Sequence, residues 1–329
     1  MAQKAFVPRM VFPDIVKTTW YPGHMNAALR EIQQLLNTTD LLIEVRDARI
    51  PLSSRNPQFT SLLAQRPRIV VYNKLDLAGL SPSQKRIVRA WDQASTVLFQ
   101  NTRQGNAVSS LLQSIRDKIK DNALSVQGVR ILVLGMPNVG KSTILNALRH
   151  VSLGKSKAAK TGAQPGITRS TNSIFKVLDD PVAYLVDTPG IMVPFIPNSE
   201  TMLKLGLVHC IKDSIVDPIT LADYLLYILN LSEKRGYVSY YKTSESNDIY
   251  SLLDQIGRKT GKLRKGAEVD VDAAARLFIQ DYRDGKFGTS CLDEILPSSL
   301  QDRIDEEGRY LSKSQVRRGM SVKAANPEG

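Results

Sequence analysis

The chain has 329 residues, 42% of them hydrophobic and 23% charged, with 44 Lys and Arg against 32 Asp and Glu for a formal charge of +12. That length accommodates two domains of ordinary size with a normal globular composition. No apolar run approaches the ~18 residues that cross a bilayer, and two cysteines without metal-ligand spacing, Cys210 and Cys291, exclude a disulfide framework and read as packed thiols in a reducing compartment. The positive excess favours a polyanionic partner, nucleic acid or a membrane surface.

The first nineteen residues carry Lys4, Arg9 and Lys17 against Asp14 alone. That is the charge balance of a targeting presequence, but Ser and Arg are not enriched, and Pro8 and Pro13 interrupt a helix. Residues 1–22 are therefore set apart as an N-terminal extension with weak targeting character. Helical spacing follows in "MNAALREIQQLL", then a buried-strand run from Leu41 in "LLIEVRDARIP". "RIVVYNKLD" and "STVLFQNT" repeat the strand-then-loop pattern, with the helical "SPSQKRIVRAWDQA" between them. "GVRILVLGMPNVGKSTILNALRH" reads as strand, loop and helix, and "STNSIFKVLDDPVAYLVDTPG" as two short strands. Strands alternating with helices predict an α/β unit over 23–198, a mostly parallel sheet with helices on both faces. From Thr201 to about Arg309 only amphipathic helical runs recur, so 199–311 is predicted to be all-α, and 312–329 a flexible basic tail.

Three motifs in the α/β unit carry chemistry. "GMPNVGKS" fits G-x-x-x-x-G-K-[ST] between a strand and a helix, where backbone N–H groups cradle phosphates. Asn138, Val139, Gly140, Lys141, Ser142 and Thr143 are its candidate nucleotide contacts. Lys141 reaches the β- and γ-phosphates in such loops, and Ser142 binds Mg²⁺. "NKLD" follows a strand directly, and Asp76 can accept both the N1–H and the N2 amine of guanine, a pairing adenine cannot offer. Asn73 and Lys74 shape that base pocket, and Asn101 and Thr102 of "QNTRQG" are placed to back it. "LVDTPG" supplies Asp187, expected to hold Mg²⁺ through water, and Gly190, whose N–H would meet the γ-phosphate; Thr168 in "AQPGITRST" is the candidate second Mg²⁺ ligand and catalytic group of a mobile segment. The expected substrate is GTP with Mg²⁺.

Ordinary GTPases present the phosphate loop first and the base reader late. Here Asn73–Asp76 precede Gly135, and Asp187 comes last. The same sheet is reached if the chain ends are joined and reopened elsewhere, with "SVQGVR" running where an ordinary GTPase has its termini. This order, with "WYPGHM", "RDARIPLSSRNP", "YNKLDL", "GMPNVGKST", "PGITR", "DTPGI", "RKGAEVD" and "DYRDGKFG", resembles the circularly permuted ribosome-assembly GTPases that include bacterial RbgA (YlqF) and the mitochondrial ribosome-associated GTPases. The resemblance spans nearly the whole chain and implies a circularly permuted P-loop GTPase domain followed by the all-α domain.

It also implies roles. Ile191 stands where signalling GTPases carry a water-orienting Gln, and the family's proposed substitute is the opening-motif histidine, here His24, as the catalytic group. Related potassium-stimulated GTPases use an Asn at the position of Asn138 to help hold K⁺. His150, read as following a helix, and His209, read as lying on one, lack such context. The expected partner is the mitochondrial large ribosomal subunit and its rRNA, contacted by Arg258, Lys259, Lys262, Arg264, Lys265 and Lys286. GTP state would time binding and release. The expected location is the mitochondrial matrix, with peripheral inner-membrane association left open and a bacterial-type cytoplasm as the alternative. A monomer is expected, without DNA binding. A protein-directed or membrane-directed GTP switch without a ribosomal partner remains the competing reading.

Overall fold

In the computed structural model of the chain, the described residues are 6–13, 32–55, 62–63, 66–102, 105–121, 128–153, 174–186, 196–306 and 308–309. Six strands form one sheet in the order β3-β2-β1-β4-β6-β5. They are β1 (Leu41–Asp47), β2 (Arg68–Asn73), β3 (Thr96–Phe99), β4 (Val129–Gly135), β5 (Ile174–Asp179) and β6 (Val182–Val186). Every pairing is parallel except the hairpin of β5 with β6. Helices α1 (Leu75–Ala78), α2 (Pro82–Ala90), α3 (Gly105–Asp121) and α4 (Lys141–Leu153) alternate with the strands. The start of α2 is written in its sequence: Ser81 and Gln84 form a reciprocal capping box, and Pro82 occupies the first turn. Helices α3 and α4 pack on the sheet face that carries Ile43, Val45 and Ile131, and α2 covers the face that carries Val70 and Tyr72.

Strand β1 lies at the centre and is buried along its whole length, although it reads LLIEVRD. Covering both faces makes a parallel strand almost wholly apolar, and any charge left there must be paired. Glu44 and Arg46 meet that demand. Arg46 is 1% exposed and bonds Glu44 at 2.6 Å, Asp92 at 2.9 Å and the Tyr72 hydroxyl at 2.9 Å. Arg68 adds a bond to Glu44 at 3.0 Å, and Arg55 reaches Asp92 at 3.1 Å. Burial raises the Asp92 carboxyl, but Arg46 and Arg55 outweigh it and hold it below the ordinary carboxylate value.

From Ser199 onward the elements are α5 (Ser199–Leu207), α6 (Pro218–Leu231), α7 (Gly236–Tyr241), α8 (Ile249–Thr260) and α9 (Val271–Arg283). Asn198, Asp217, Asp248 and Asp270 cap α5, α6, α8 and α9 through their side chains. One contiguous apolar core runs from Leu41 and Ile131 in the sheet to Leu225, Phe278 and Leu292 in the helical layer. Asp293 fastens the layers by accepting from the N–H groups of Leu52 and Ser53, each at 2.8 Å, and from the Ser53 hydroxyl at 2.6 Å.

Residues 6–13, from the basic leading segment, are packed against this helical layer. Arg9 grips the Asp223 carboxylate at 2.6 and 3.1 Å, and its N–H donates to Asn247. Phe12 lies edge-on to Tyr224 with centroids 5.2 Å apart, and the Tyr227 hydroxyl donates to the Met10 carbonyl. Phe12→Ala should lower unfolding stability by about 2 kcal/mol, the cost of truncating a partly buried aromatic, whereas Arg9→Ala should cost under ~1 kcal/mol. Denaturant titration of the full chain checks the ranking; a Phe12→Ala variant as stable as wild type would show that the segment is not part of the packed unit.

Candidate nucleotide site

The phosphate loop runs from the end of β4 at Gly135 to the start of α4 at Lys141. Gly135 pairs with Val45 of β1 at φ +154°, where a Cβ would strike the Val45 carbonyl. Gly140, at φ +103°, leaves just enough room for the Asn73 amide. Asn138 takes a left-handed conformation, φ +58°, which its short amide side chain tolerates. The Lys141 ammonium lies back across the loop onto the Met136 carbonyl at 2.6 Å. Ser142 is exposed in the first turn of α4, Thr143 half-buried, and Val139 buried in the core.

Strand β2 ends at Asn73, paired with Asp47 of β1. The Asn73 amide donates to the Val139 carbonyl at 3.0 Å and accepts from the Thr102 N–H at 3.1 Å and hydroxyl at 2.6 Å. One buried side chain thus fixes the phosphate loop to both base-side loops. Lys74, at φ +60°, extends its ammonium to the Asn138 carbonyl at 2.6 Å and to Asp47 at 3.0 Å. Asp76, in the single turn of α1, presents an exposed carboxylate. It lines a pocket of about 380 Å³ together with Leu75, Phe99, Asn101 and Asn106.

Asp47 is fully buried and central to this arrangement. Its carboxylate takes two bonds from the Arg49 guanidinium, at 3.0 and 2.8 Å, besides the Lys74 ion pair. Burial pushes this carboxyl up, but Arg49 and Lys74 outweigh it and hold it well below the usual carboxylate range. Arg49 in turn accepts the Leu292 N–H at its carbonyl, 2.7 Å, from the helical layer.

A family model described as a 50S ribosome-binding GTPase matches residues 130–261. The match opens on β4 and leaves the base-side strands upstream of it, as a permuted order requires. Mitochondrial GTPase 1 of Schizosaccharomyces pombe is 39% identical over 92% of this chain and 98% of its own length. Mitochondrial ribosome-associated GTPase 1 of Bos taurus is 39% identical over 88% and 91%, and ribosome biogenesis GTPase A of Bacillus licheniformis is 35% identical over 82% and 95%. The chain belongs to the circularly permuted, ribosome-associated GTPases. Its fold is that of GNP-bound YlqF from T. maritima, which superposes with a TM-score of 0.56 over 80% of this chain and 97% of that one at 22% identity.

Within this GTPase, most of the residues read from sequence as GTP contacts lie among the described ones. Asn73, Lys74, Thr102, Asn138, Val139, Gly140 and Lys141 are brought together, with Asp76 and Asn101 at the neighbouring pocket. His24, Thr168, Asp187, Gly190 and Ile191 lie outside the described residues. The basic residues assigned to rRNA are mostly engaged within the chain. Arg258 pairs with Asp254 at 2.8 Å, Arg264 with Asp270 at 3.4 Å and Lys286 with Asp281 at 2.7 Å, while the Lys259 ammonium donates to the Tyr241 carbonyl at 3.1 Å. Lys262 and Lys265 are exposed and have no ion pair among the described residues.

Two histidine assignments need correction. His150 lies inside α4, which continues to Leu153, rather than after it. His209 lies beyond α5 rather than on it: it adopts φ +65°, with its N–H on Gly206 and the Cys210 N–H on Leu205, a Schellman end in which a left-handed residue turns the chain. Its carbonyl accepts from the Asn138 amide at 2.8 Å. Sequence reading missed this bond because glycine or asparagine is the usual signal for such an end. Burial of Cys210 beneath the loop pushes its thiol up to about 12, in keeping with a packed thiol.

Asp47→Asn would leave Arg49 and Lys74 uncompensated, at a cost of about 3–5 kcal/mol. Because the folded Asp47 carboxyl is depressed, its stabilisation is present above the unfolded value near ~4 and is lost as pH falls through the folded value. Chemical denaturation between about pH 7 and pH 3 should therefore show wild type losing more stability on acidification than Asp47→Asn; parallel pH profiles would refute the charged pairing.

Proposed function

We propose that this GTPase binds the mitochondrial large ribosomal subunit during assembly, hydrolyses GTP there, and uses the loss of the γ-phosphate to time its release. The observation that carries the reading is the locking of a guanine-type strand end to a phosphate loop that follows it in sequence, by Asn73 on Val139 and Lys74 on Asn138. Relatives over nearly the whole chain are named for mitochondria and for ribosome association, and the +12 charge suits an rRNA partner. The reading places the protein in the mitochondrial matrix as a monomer.

In this account Asp76 accepts from guanine N1–H and N2, with Asn73, Lys74, Asn101 and Thr102 shaping the pocket. The loop N–H groups of Val139 to Thr143 cradle the phosphates and Lys141 neutralises them. The donor set suits Mg²⁺: Ser142 presents an exposed hydroxyl at the start of α4, and Thr168 and Asp187 would supply further oxygens. Once bound, the ion would supply charge neutralisation for the transferring phosphoryl group. Asn138 suits a monovalent cation, because its Nδ2 is spent on His209 and its Oδ1 is the acceptor end of the amide. His24 orients or deprotonates the attacking water in place of the Gln that Ile191 displaces. Gly190 meets the γ-phosphate through its N–H.

Asp76→Asn should weaken GTP binding by about 2–4 kcal/mol and admit xanthosine triphosphate; unchanged GTP affinity would remove Asp76 from base reading. His24→Ala should hold GTP as wild type does while turning over more slowly with ribosomal particles, and replacing K⁺ by Na⁺ should slow wild type. Stimulated turnover equal to wild type, or equal rates in the two salts, would overturn those two roles separately. Co-sedimentation with large subunits across a salt series tests the partner: binding that ignores salt and RNA removal would favour a protein-directed switch.

A further inference from the structure

Helix α7 ends in two tyrosines with opposite surroundings. Tyr241 is buried and its hydroxyl donates to the buried carboxylate of Asp281. Tyr240 is 44% exposed. Its ring is nevertheless held in place: Tyr241 lies edge-on at 4.8 Å between centroids, Phe287 at 5.6 Å, and the Lys286 ammonium sits 5.9 Å from the ring centre. A half-exposed aromatic gripped by two others has little rotamer freedom left to lose on binding.

Ammonium groups gather at the end of the helix that carries this ring. The Lys259 ammonium, reaching over from α8, donates to the carbonyls of Tyr241 and Lys242. Lys242 is exposed and turns the chain at the end of α7 with φ +53°. Neither Lys242 nor Lys259 has a carboxylate partner among the described residues, whereas the charge of Lys286 is balanced by Asp281 at 2.7 Å. Two of the helical layer's lysines without a carboxylate partner thus lie at the end of α7, outside the loop of Lys262 and Lys265 that sequence alone singles out. A held, half-exposed ring beside ammonium groups without carboxylate partners matches unpaired nucleotides, whose bases stack on aromatic rings while their phosphates meet lysines.

We propose that Tyr240 is a stacking platform for an unpaired RNA base, with Lys242 and Lys259 meeting the adjoining phosphates. This rests on the rRNA partnership proposed above and adds what kind of RNA the helical layer takes: single-stranded segments rather than duplex. A-form duplex keeps its bases stacked inside and offers no free face to the ring.

The test uses the full chain, a fluorescein-labelled single-stranded oligoadenylate and a labelled RNA duplex of equal length, with binding read by anisotropy. Tyr240→Leu keeps an apolar side chain but removes the π-face; it should bind the single strand about ten-fold more weakly and the duplex as wild type does, while Tyr240→Trp keeps the single-strand affinity. Lys242→Ala should lower the slope of log affinity against log salt by about 0.7 for the single strand. Thermal melting of each variant guards against a folding defect, and Tyr240→Leu is counted only if it melts as wild type does. Tyr240→Leu binding the single strand like wild type, or losing single strand and duplex alike, overturns the platform. Wild type that binds neither RNA at low salt overturns the rRNA partnership itself. Tyr240-dependent binding to anionic phosphatidylserine vesicles, without RNA binding, would assign the patch to a membrane surface and overturn both.

Discussion

The buried Asp47 carboxylate joins three parts of the molecule that are far apart in sequence. It closes β1 beside Asn73 of β2, holds the Lys74 ammonium that bonds the phosphate loop at Asn138, and fixes Arg49, whose carbonyl carries Leu292 of the helical layer. A buried carboxylate must be answered by charge and by hydrogen bonds together, and the two residues that answer Asp47 reach onward, Lys74 to the phosphate loop and Arg49 to the helical layer. The geometry of the site is thus not a property of the phosphate loop alone. A shift of one residue in the β1–β2 register would take Asn73 away from Val139 of the phosphate loop.

Permutation changes which parts are covalently close without changing which are in contact. The strand order places β1 between the base-side strand β2 and the phosphate-loop strand β4, as it would be if the chain began at β4. What differs is the exit. Strand β6 ends at Val186, and α5 begins at Ser199, so the D-T-P-G stretch is joined to the helical layer by only a few residues. The far end of α5 returns to the loop, where the His209 carbonyl meets the Asn138 amide. The end of helix α5 is therefore tied to the phosphate loop by a hydrogen bond. Its last carbonyls are also held by Arg283 of α9, at 3.0 and 2.8 Å, which ties the same helix to the rest of the layer.

Much of this could be read from the sequence because the local and global requirements agree. Buried parallel strands read as apolar runs, so β1, β2 and β4 stand out; Ser81, Pro82 and Gln84 mark the start of α2 by their own hydrogen-bonding chemistry. The base-side and phosphate-side motifs could be assigned because each needs particular residue types at fixed spacing. The parts that escaped depend on contacts over long separations. Nothing local to "RDARIP" indicates that Asp47 would be the meeting point of Lys74 and Arg49, or that Asp293 would cap the turn at Leu52 and Ser53. His209 was read as helical because "GLVHCIKD" continues the spacing of α5, and histidine gives no warning of the left-handed turn that a glycine would have announced.

Charge shows the same limit from another side. A sequence reports how many lysines and arginines a segment holds, but the field outside depends on which of them are answered within the fold. In "GRKTGKLRKG" and its surroundings, Arg258 and Arg264 are spent on Asp254 and Asp270, and Lys286 on a buried Asp281. Lys242, outside the segment that composition marks as basic, keeps its charge on the surface, and so does Lys259, whose carbonyl partners direct the ammonium without cancelling it. Carbonyl-bound lysines can still meet a phosphate, because an ammonium has three protons and the carbonyls occupy two. Phosphate affinity in the helical layer should therefore follow the unanswered lysines, those around Tyr240 and in the loop of Lys262 and Lys265 among them, and not the density of basic letters along the chain.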